Sequence, residues 1–175
     1  MKYRIKDHIG IMTVSPFSQG ETVELARLVD VTGSSLPFFG IHFKNCLFDS
    51  FLFQHCTFDA CSFEHCSFTG AFEQSFFTNC KFQDCYFDEV KFSECNMFAV
   101  SFVRSKFVYS SFRSLACKEL VFDNSELDEI QVTRRTSDMP FEMLANGCII
   151  WKCSPELVEA GKGKSAILPY NHAQN

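Results

Sequence analysis

The chain has 175 residues, 46% of them hydrophobic, which suits one domain with a real core. Its net charge of −5 argues against direct nucleic-acid binding, which normally goes with a basic excess. No stretch approaches the roughly 18 apolar residues of a membrane span, no apolar leader follows the basic residues 1–6, and the cytosol is the expected compartment.

Residues 1–35 read as an N-terminal cap of strand plus short helix. The runs 4–5 and 9–14 are strand-like. Ser18, three residues ahead of Glu21, matches a capping box. It predicts a helix through Leu25, Leu28 and Val29 that stops at Gly33, Ser34 and Ser35.

Residues 36–133 obey a different rule. Phe38, Phe43, Phe48, Phe53, Phe58, Phe63 and Phe68 stand five apart. One four-residue step leads to Phe72. The five-residue step then resumes through Phe77, Phe82, Phe87, Phe92, Met97, Phe102, Phe107, Phe112, Cys117, Phe122, Leu127 and Val132. Sixteen of these twenty centres are Phe, so one structural slot is used many times. Two residues before the centres lies a slot for small residues. It holds Cys46, Cys56, Cys61, Cys66, Cys80, Cys85 and Cys95, with Ser75, Ser105, Ser110, Ser125, Val90 and Val100.

A period of five fits neither regular element. On a helix the Phe would advance by about 140° each time, and on a strand they would alternate faces. The chain must turn at every repeat. Four repeats then close a square coil with each Phe inward, and the twenty repeats make five coils, roughly 24 Å long at about 4.8 Å per coil. Columns form, such as Phe43, Phe63, Phe82 and Phe102, or Phe48, Phe68, Phe87 and Phe107. The short step holds Gly70 and predicts a local kink or bulge.

This pattern resembles the pentapeptide-repeat family over residues 36–133. The resemblance implies an all-β fold, a right-handed quadrilateral β-helix with short α/β capping flanks. It implies a scaffold and not an activity. The gyrase-protecting, quinolone-resistance-type members suggest one use for such a rod, filling the DNA-binding saddle of a topoisomerase.

Residues 134–175 read as a C-terminal cap or dimerisation segment. Asp138, Met139 and Pro140 look like a helix start, and Asn146-Gly147 like its end. A short apolar run over 148–153 surrounds Trp151. Ser154-Pro155 opens a second short helix that ends at Gly161, and a polar tail follows from Lys162. The segment carrying the only Trp can cover the last coil or meet a second copy.

Several motifs look chemical and have plainer readings. His55-Cys56 and His65-Cys66 resemble metal pairs, but neighbours on a strand point to opposite sides, so no metal site is expected. The inward Cys read as free, buried thiols kept reduced in the cytosol. Gly163-Lys164-Ser165 echoes a phosphate loop, but the glycine required five residues earlier is Val158. No catalytic constellation is visible, and inward Phe leave no room for a substrate. The reading is a non-enzymatic protein without a cofactor.

What remains is the exterior. Residues 38–133 carry thirteen acids against seven bases, so the negative excess sits on the repeats. Folded four repeats per coil, Asp49, Glu64, Asp84, Asp88, Glu89, Asp123, Asp128 and Glu129 fall on two adjacent faces. Two functional readings follow. One is an acidic rod that imitates DNA toward a DNA-handling protein, such as gyrase, another topoisomerase, or a phage or host defence factor. A duplex of that length carries about fourteen charges, so the imitation is partial. The other is an adaptor solenoid that meets an ordinary protein surface through Phe39, Phe98, Val103, Val108 and Tyr109.

Overall fold

The computed structural model describes residues 8–12, 17–161 and 166–167. From Thr22 to Trp151 the chain winds as a four-sided β-solenoid in which each strand lies parallel on a strand of the previous coil. The first side stacks Val23, Phe43, Phe63, Phe82, Phe102, Phe122 and Ala145. The second stacks Leu28, Phe48, Phe68, Phe87, Phe107, Leu127 and Ile150. Gly33, Phe53, Phe72, Phe92, Phe112 and Val132 make the third. Phe38, Phe58, Phe77, Met97, Cys117 and Phe141 make the fourth.

The expected five coils are therefore too few, because between Thr22 and Trp151 the first two sides each have seven rungs, and residues 8 and 166–167 stack further on the second. Coils are added at both ends. Val23, Leu28 and Gly33 continue the five-residue step backward from Phe38, where a helix is expected. The Glu21 carboxylate does accept the Ser18 N–H at 2.7 Å, as in a capping box, but it closes a turn and a strand follows. At the other end, residues 141–146 are a strand and not a helix. The fourth side there advances 24 residues, from Cys117 to Phe141, so a four-residue insertion hides the repeat.

The geometry of one repeat explains its letters. Three residues are extended around the inward centre. The next residue turns the corner with φ between +46° and +59°, at twenty-one positions that are not glycine. Such a backbone costs on the order of 1 kcal/mol per residue, so something must hold it. The corner N–H does so by donating to the next coil, as Asp84 to Val103 O at 2.9 Å and Glu89 to Val108 O at 2.9 Å. The slot before the centre faces inward beside main-chain carbonyls, which suits a small donor. Cys61 Sγ donates to Phe38 O at 3.2 Å, and Ser75 Oγ donates to Glu73 O at 2.9 Å while accepting the Cys56 N–H at 3.1 Å.

Phe51 breaks the small-residue rule and explains the short step. Its buried ring occupies a slot where the neighbouring coils have Val31 below and Gly70 above. The register slips there, leaving Ser50 unmatched. A Cβ on Gly70, whose φ is +144°, would lie 2.3 Å from the Phe51 carbonyl oxygen. The expected bulge is present, and one oversized ring causes it.

Both ends of the core are covered. Phe17 is buried with its ring edge-on to Phe43 at 5.2 Å. At the far end the helix Pro155–Ala160 buries Leu157 against the last coil, where the second expected helix lies. Ser154 Oγ accepts the Val132 N–H at 3.0 Å, tying the helix start to the third side. Trp151 does not cover the last coil; it stands in an outward slot of the second side, half-buried. Arg135 bridges neighbouring rungs from outside, donating to Ser114 O at 3.1 Å, Asn96 Oδ1 at 3.1 Å and the Glu94 carbonyl. The runs 4–5 and 162–165, with the phosphate-loop echo and most of the tail, lie outside the described residues.

Truncating a ring in mid-column, Phe82→Ala, is expected to cost roughly 3–5 kcal/mol. Gly70→Ala should destabilise as well, because its new methyl meets main chain and not a movable side chain. Urea denaturation measures both, and a midpoint for either variant equal to wild type would contradict this packing.

Candidate interaction surface

The outward residues of each coil form columns of their own. On the first side two acids are matched by bases. Lys44 Nζ lies 3.1 Å from Glu64, and Arg104 grips Asp84 with two bonds of 2.8 and 2.7 Å. The Arg104 guanidinium holds the Asp84 carboxyl below its ordinary range. Asp123 also belongs to this side, above Val103. The sequence therefore finds acids on this side correctly but not the cations that answer them, one coil away.

The second side is different. One outward column runs Asp49, Thr69, then Asp88, Val108, Asp128 and Trp151. The corner beside it carries Glu89, Tyr109 and Glu129. Asp49 accepts hydrogen bonds from the hydroxyls of Thr69 and Ser50, at 2.5 and 3.2 Å. Glu129 pairs with Lys152 at 2.8 Å. Asp88 and Glu89 have no cation within 4.0 Å among the described residues. Tyr86 and Ile149 are exposed on the same side, and Tyr109 is 57% exposed.

The five apolar residues singled out from the sequence do not form one patch. Phe39 and Phe98 stand in one column of the fourth side. Val103 is on the first side, beside Gln83 and Asp123. Val108 and Tyr109 belong to the second, between acids. The exposed Phe76 joins Phe39 and Phe98 on the fourth side. Reading the register would have placed all of these. Trp151 and Ile149 were out of reach because the insertion before Phe141 conceals the last coil.

The cysteines are free, and all but the half-buried Cys153 are buried. His55 and His65 point out while Cys56 and Cys66 point in, so the His-Cys pairs do not converge. Among the described residues no three metal-ligating side chains gather, and no helix is long and apolar enough to cross a membrane. Burial pushes the Cys95 thiol up to about 12 and the Cys117 thiol up to about 11.

Residues 56–132 match the family model described as a pentapeptide repeat region. No curated protein sequence matches the chain. Among solved structures, the chain is similar to full-length QnrB1, a plasmid-mediated fluoroquinolone resistance protein. The identity is 12%, with 85% of each chain covered and a TM-score of 0.38. It is also similar to HetL, a pentapeptide repeat protein involved in heterocyst differentiation regulation from the cyanobacterium Nostoc. There the identity is 7%, with 84% of this chain and 85% of that one covered and a TM-score of 0.39. An alginate lyase from Paenibacillus shares 9% identity, with 81% and 76% covered and a TM-score of 0.29. At such identities no surface residue carries across.

The buried thiols make two expectations. At pH 8 the native protein should react slowly with a thiol reagent, Cys153 first, and all ten thiols quickly once it is unfolded. A thiol whose folded value lies above its unfolded value stabilises fully below the latter. That stability fades as pH rises through the folded value, so the urea midpoint should fall between about pH 9 and 12. Rapid native labelling of most thiols would contradict the inward slot.

Proposed function

We propose that this chain, a pentapeptide-repeat protein by its region 56–132, is a non-enzymatic binding protein whose second side docks on a basic surface of a protein partner. Both acidic sides carry ion pairs, and the supporting observation is which acids are left over. Glu64 and Asp84 on the first side are answered by Lys44 and Arg104. Second-side acids Asp88 and Glu89 are not, and they alternate with Tyr86, Tyr109 and Trp151. Aromatic anchors among charges suit a specific protein interface.

The spacing limits imitation of DNA. Asp49, Asp88 and Asp128 occupy alternate rungs of one column, roughly 10 Å apart at the β-sheet spacing. Duplex DNA offers one charge per about 1.7 Å. The second side therefore meets a basic groove at points, with apolar contact between them. The groove of a DNA-handling protein, gyrase or another topoisomerase, or a phage or host defence factor, is the partner class the family resemblance suggests. Free thiols fit a reducing, cytosolic setting.

A second reading, an adaptor with an ordinary partner, has its own support. The fourth side exposes Phe39 and Phe76 and half-exposes Phe98. Asp59 is its only charged outward residue between Pro37 and Ala99. A homodimer through the C-terminal end would use the uncovered strand beside the last helix, where Leu144 is 52% exposed. Leu144→Glu is expected to make such a dimer monomeric in light scattering.

The double variant Asp88→Lys, Glu89→Lys tests the main reading. It should weaken partner capture and gyrase modulation by tenfold or more, roughly, through like-charge repulsion. Its melting temperature should stay near that of wild type, since exposed charges add little stability. Binding should weaken with salt. Undiminished activity of the folded variant would reject the second side, and salt-insensitive binding lost in Phe39→Ser, Phe98→Ser would favour the fourth.

A further inference from the structure

The C-terminal end of the second side holds a pit of mixed chemistry. Buried Leu127 forms its floor. Ile149 and Trp151 wall it on one rung, with Lys106, Glu126 and Asp128 on the rungs beneath. Most of the charges nearby are already matched. Lys106 Nζ lies 2.9 Å from Glu126, and Lys152 Nζ lies 2.8 Å from Glu129.

Asp128 is left over. Its column places it between Val108 and Trp151, two apolar neighbours. Its Oδ1 is shut off from solvent and accepts no hydrogen bond among the described residues. A carboxylate oxygen in that state has lost its water without gaining a donor. No described residue supplies that donor, and the other oxygen, Oδ2, is the one left for a donor from outside the solenoid.

We propose that this pit is a socket for one arginine side chain on a basic segment of a partner protein. The guanidinium donates to Asp128 while its flat face lies on the Trp151 ring and its apolar stem on Ile149. Charge complementarity calls for a cation, because the one lysine lining the pit, Lys106, is already paired with Glu126. The ring calls for a planar one. Guanidinium offers rigid, forked donors and stacks on aromatic faces, whereas an ammonium is a compact, strongly hydrated point charge. The socket rests on the reading that the second side is the contact surface, and gives that surface one anchoring residue of the kind that dominates interface energies.

Trp151 is the only tryptophan of the chain, so intrinsic tryptophan fluorescence reports on the pit. The probe is hexa-arginine amide, titrated at physiological salt. Wild type should show a saturable change in Trp151 emission. The midpoint should rise roughly tenfold or more in Asp128→Asn. It should move by no more than about twofold in Asp49→Asn, whose carboxylate lies about 19 Å along the column, beyond the screening length. Hexalysine should bind several-fold more weakly. The melting temperature of Asp128→Asn should equal or exceed that of wild type, because the carboxylate has no partner to lose.

Each of four results overturns the socket: no saturable change, an unaltered titration in Asp128→Asn, hexalysine binding as tightly as hexa-arginine, or an Asp128→Asn variant that melts well below wild type. The wider reading fails separately. If Asp88→Lys, Glu89→Lys abolishes partner capture while Asp128→Asn titrates like wild type, the second side stands and the socket falls. If the titration behaves as expected while that double variant captures partners fully, the socket stands and the acidic row falls.

Discussion

Everything in this fold depends on a match between two lengths. Parallel coils repeat at about 4.8 Å, and phenylalanine rings stack at nearly the same distance. Phe63 and Phe82 lie 4.5 Å apart with planes within 3°, Phe87 and Phe107 4.3 Å apart within 4°. A ring can therefore sit directly above its counterpart in every coil without tilting the backbone. Rings on adjacent sides meet edge-on, as Phe82 and Phe87 do at 5.6 Å. Stacked contacts thus run along the axis and edge contacts around it, both favourable for aromatic pairs. No further element is needed to make a core.

That match also sets how far the fold can be read from letters alone. From Phe38 to Val132 the rings announce the coil at every fifth position, and the structure follows them. Legibility fails where a coil is built without rings. Val23, Leu28 and Gly33 hold the right positions, but their side chains are equally at home in a helix. Glu21 does form half of a capping interaction, so the local signal is real and the stacking overrides it. After Val132 the step is lost, since the four-residue insertion shifts Phe141 out of phase. A helix start at Pro140 then looks more natural than a resumed strand. The short step at Gly70 was visible, but its cause, the Phe51 ring in a small slot, required knowing which residue lies one coil below.

The surface was less legible for a related reason. Partners on this solenoid are about twenty residues apart, as with Lys44 and Glu64 or Asp84 and Arg104. Counting acids along the chain finds the acidic sides. It does not show which of their acids are neutralised from a neighbouring coil and which are not. Asp84 and Asp88 are four residues apart and alike on paper, yet one is held by a guanidinium and the other is not. The apolar residues suffer the same dispersal, since neighbours in the chain such as Phe98 and Val103 belong to different sides.

The corners carry a rule with wider consequence. None of the twenty-one non-glycine residues there is Val, Ile or Thr, although acids, bases, amides, His, Ala, Leu and Tyr all occur. Branching at Cβ is what a left-handed backbone tolerates worst. Beyond that exclusion the corner side chain is pressed by no ring and owes the fold only its main-chain N–H. Each corner is in effect a blank key on a fixed keyboard. One substitution rewrites charge or aromatic character at a known height and side, and leaves the column of rings behind it untouched. A lineage can thus change what such a rod recognises much faster than it changes the rod.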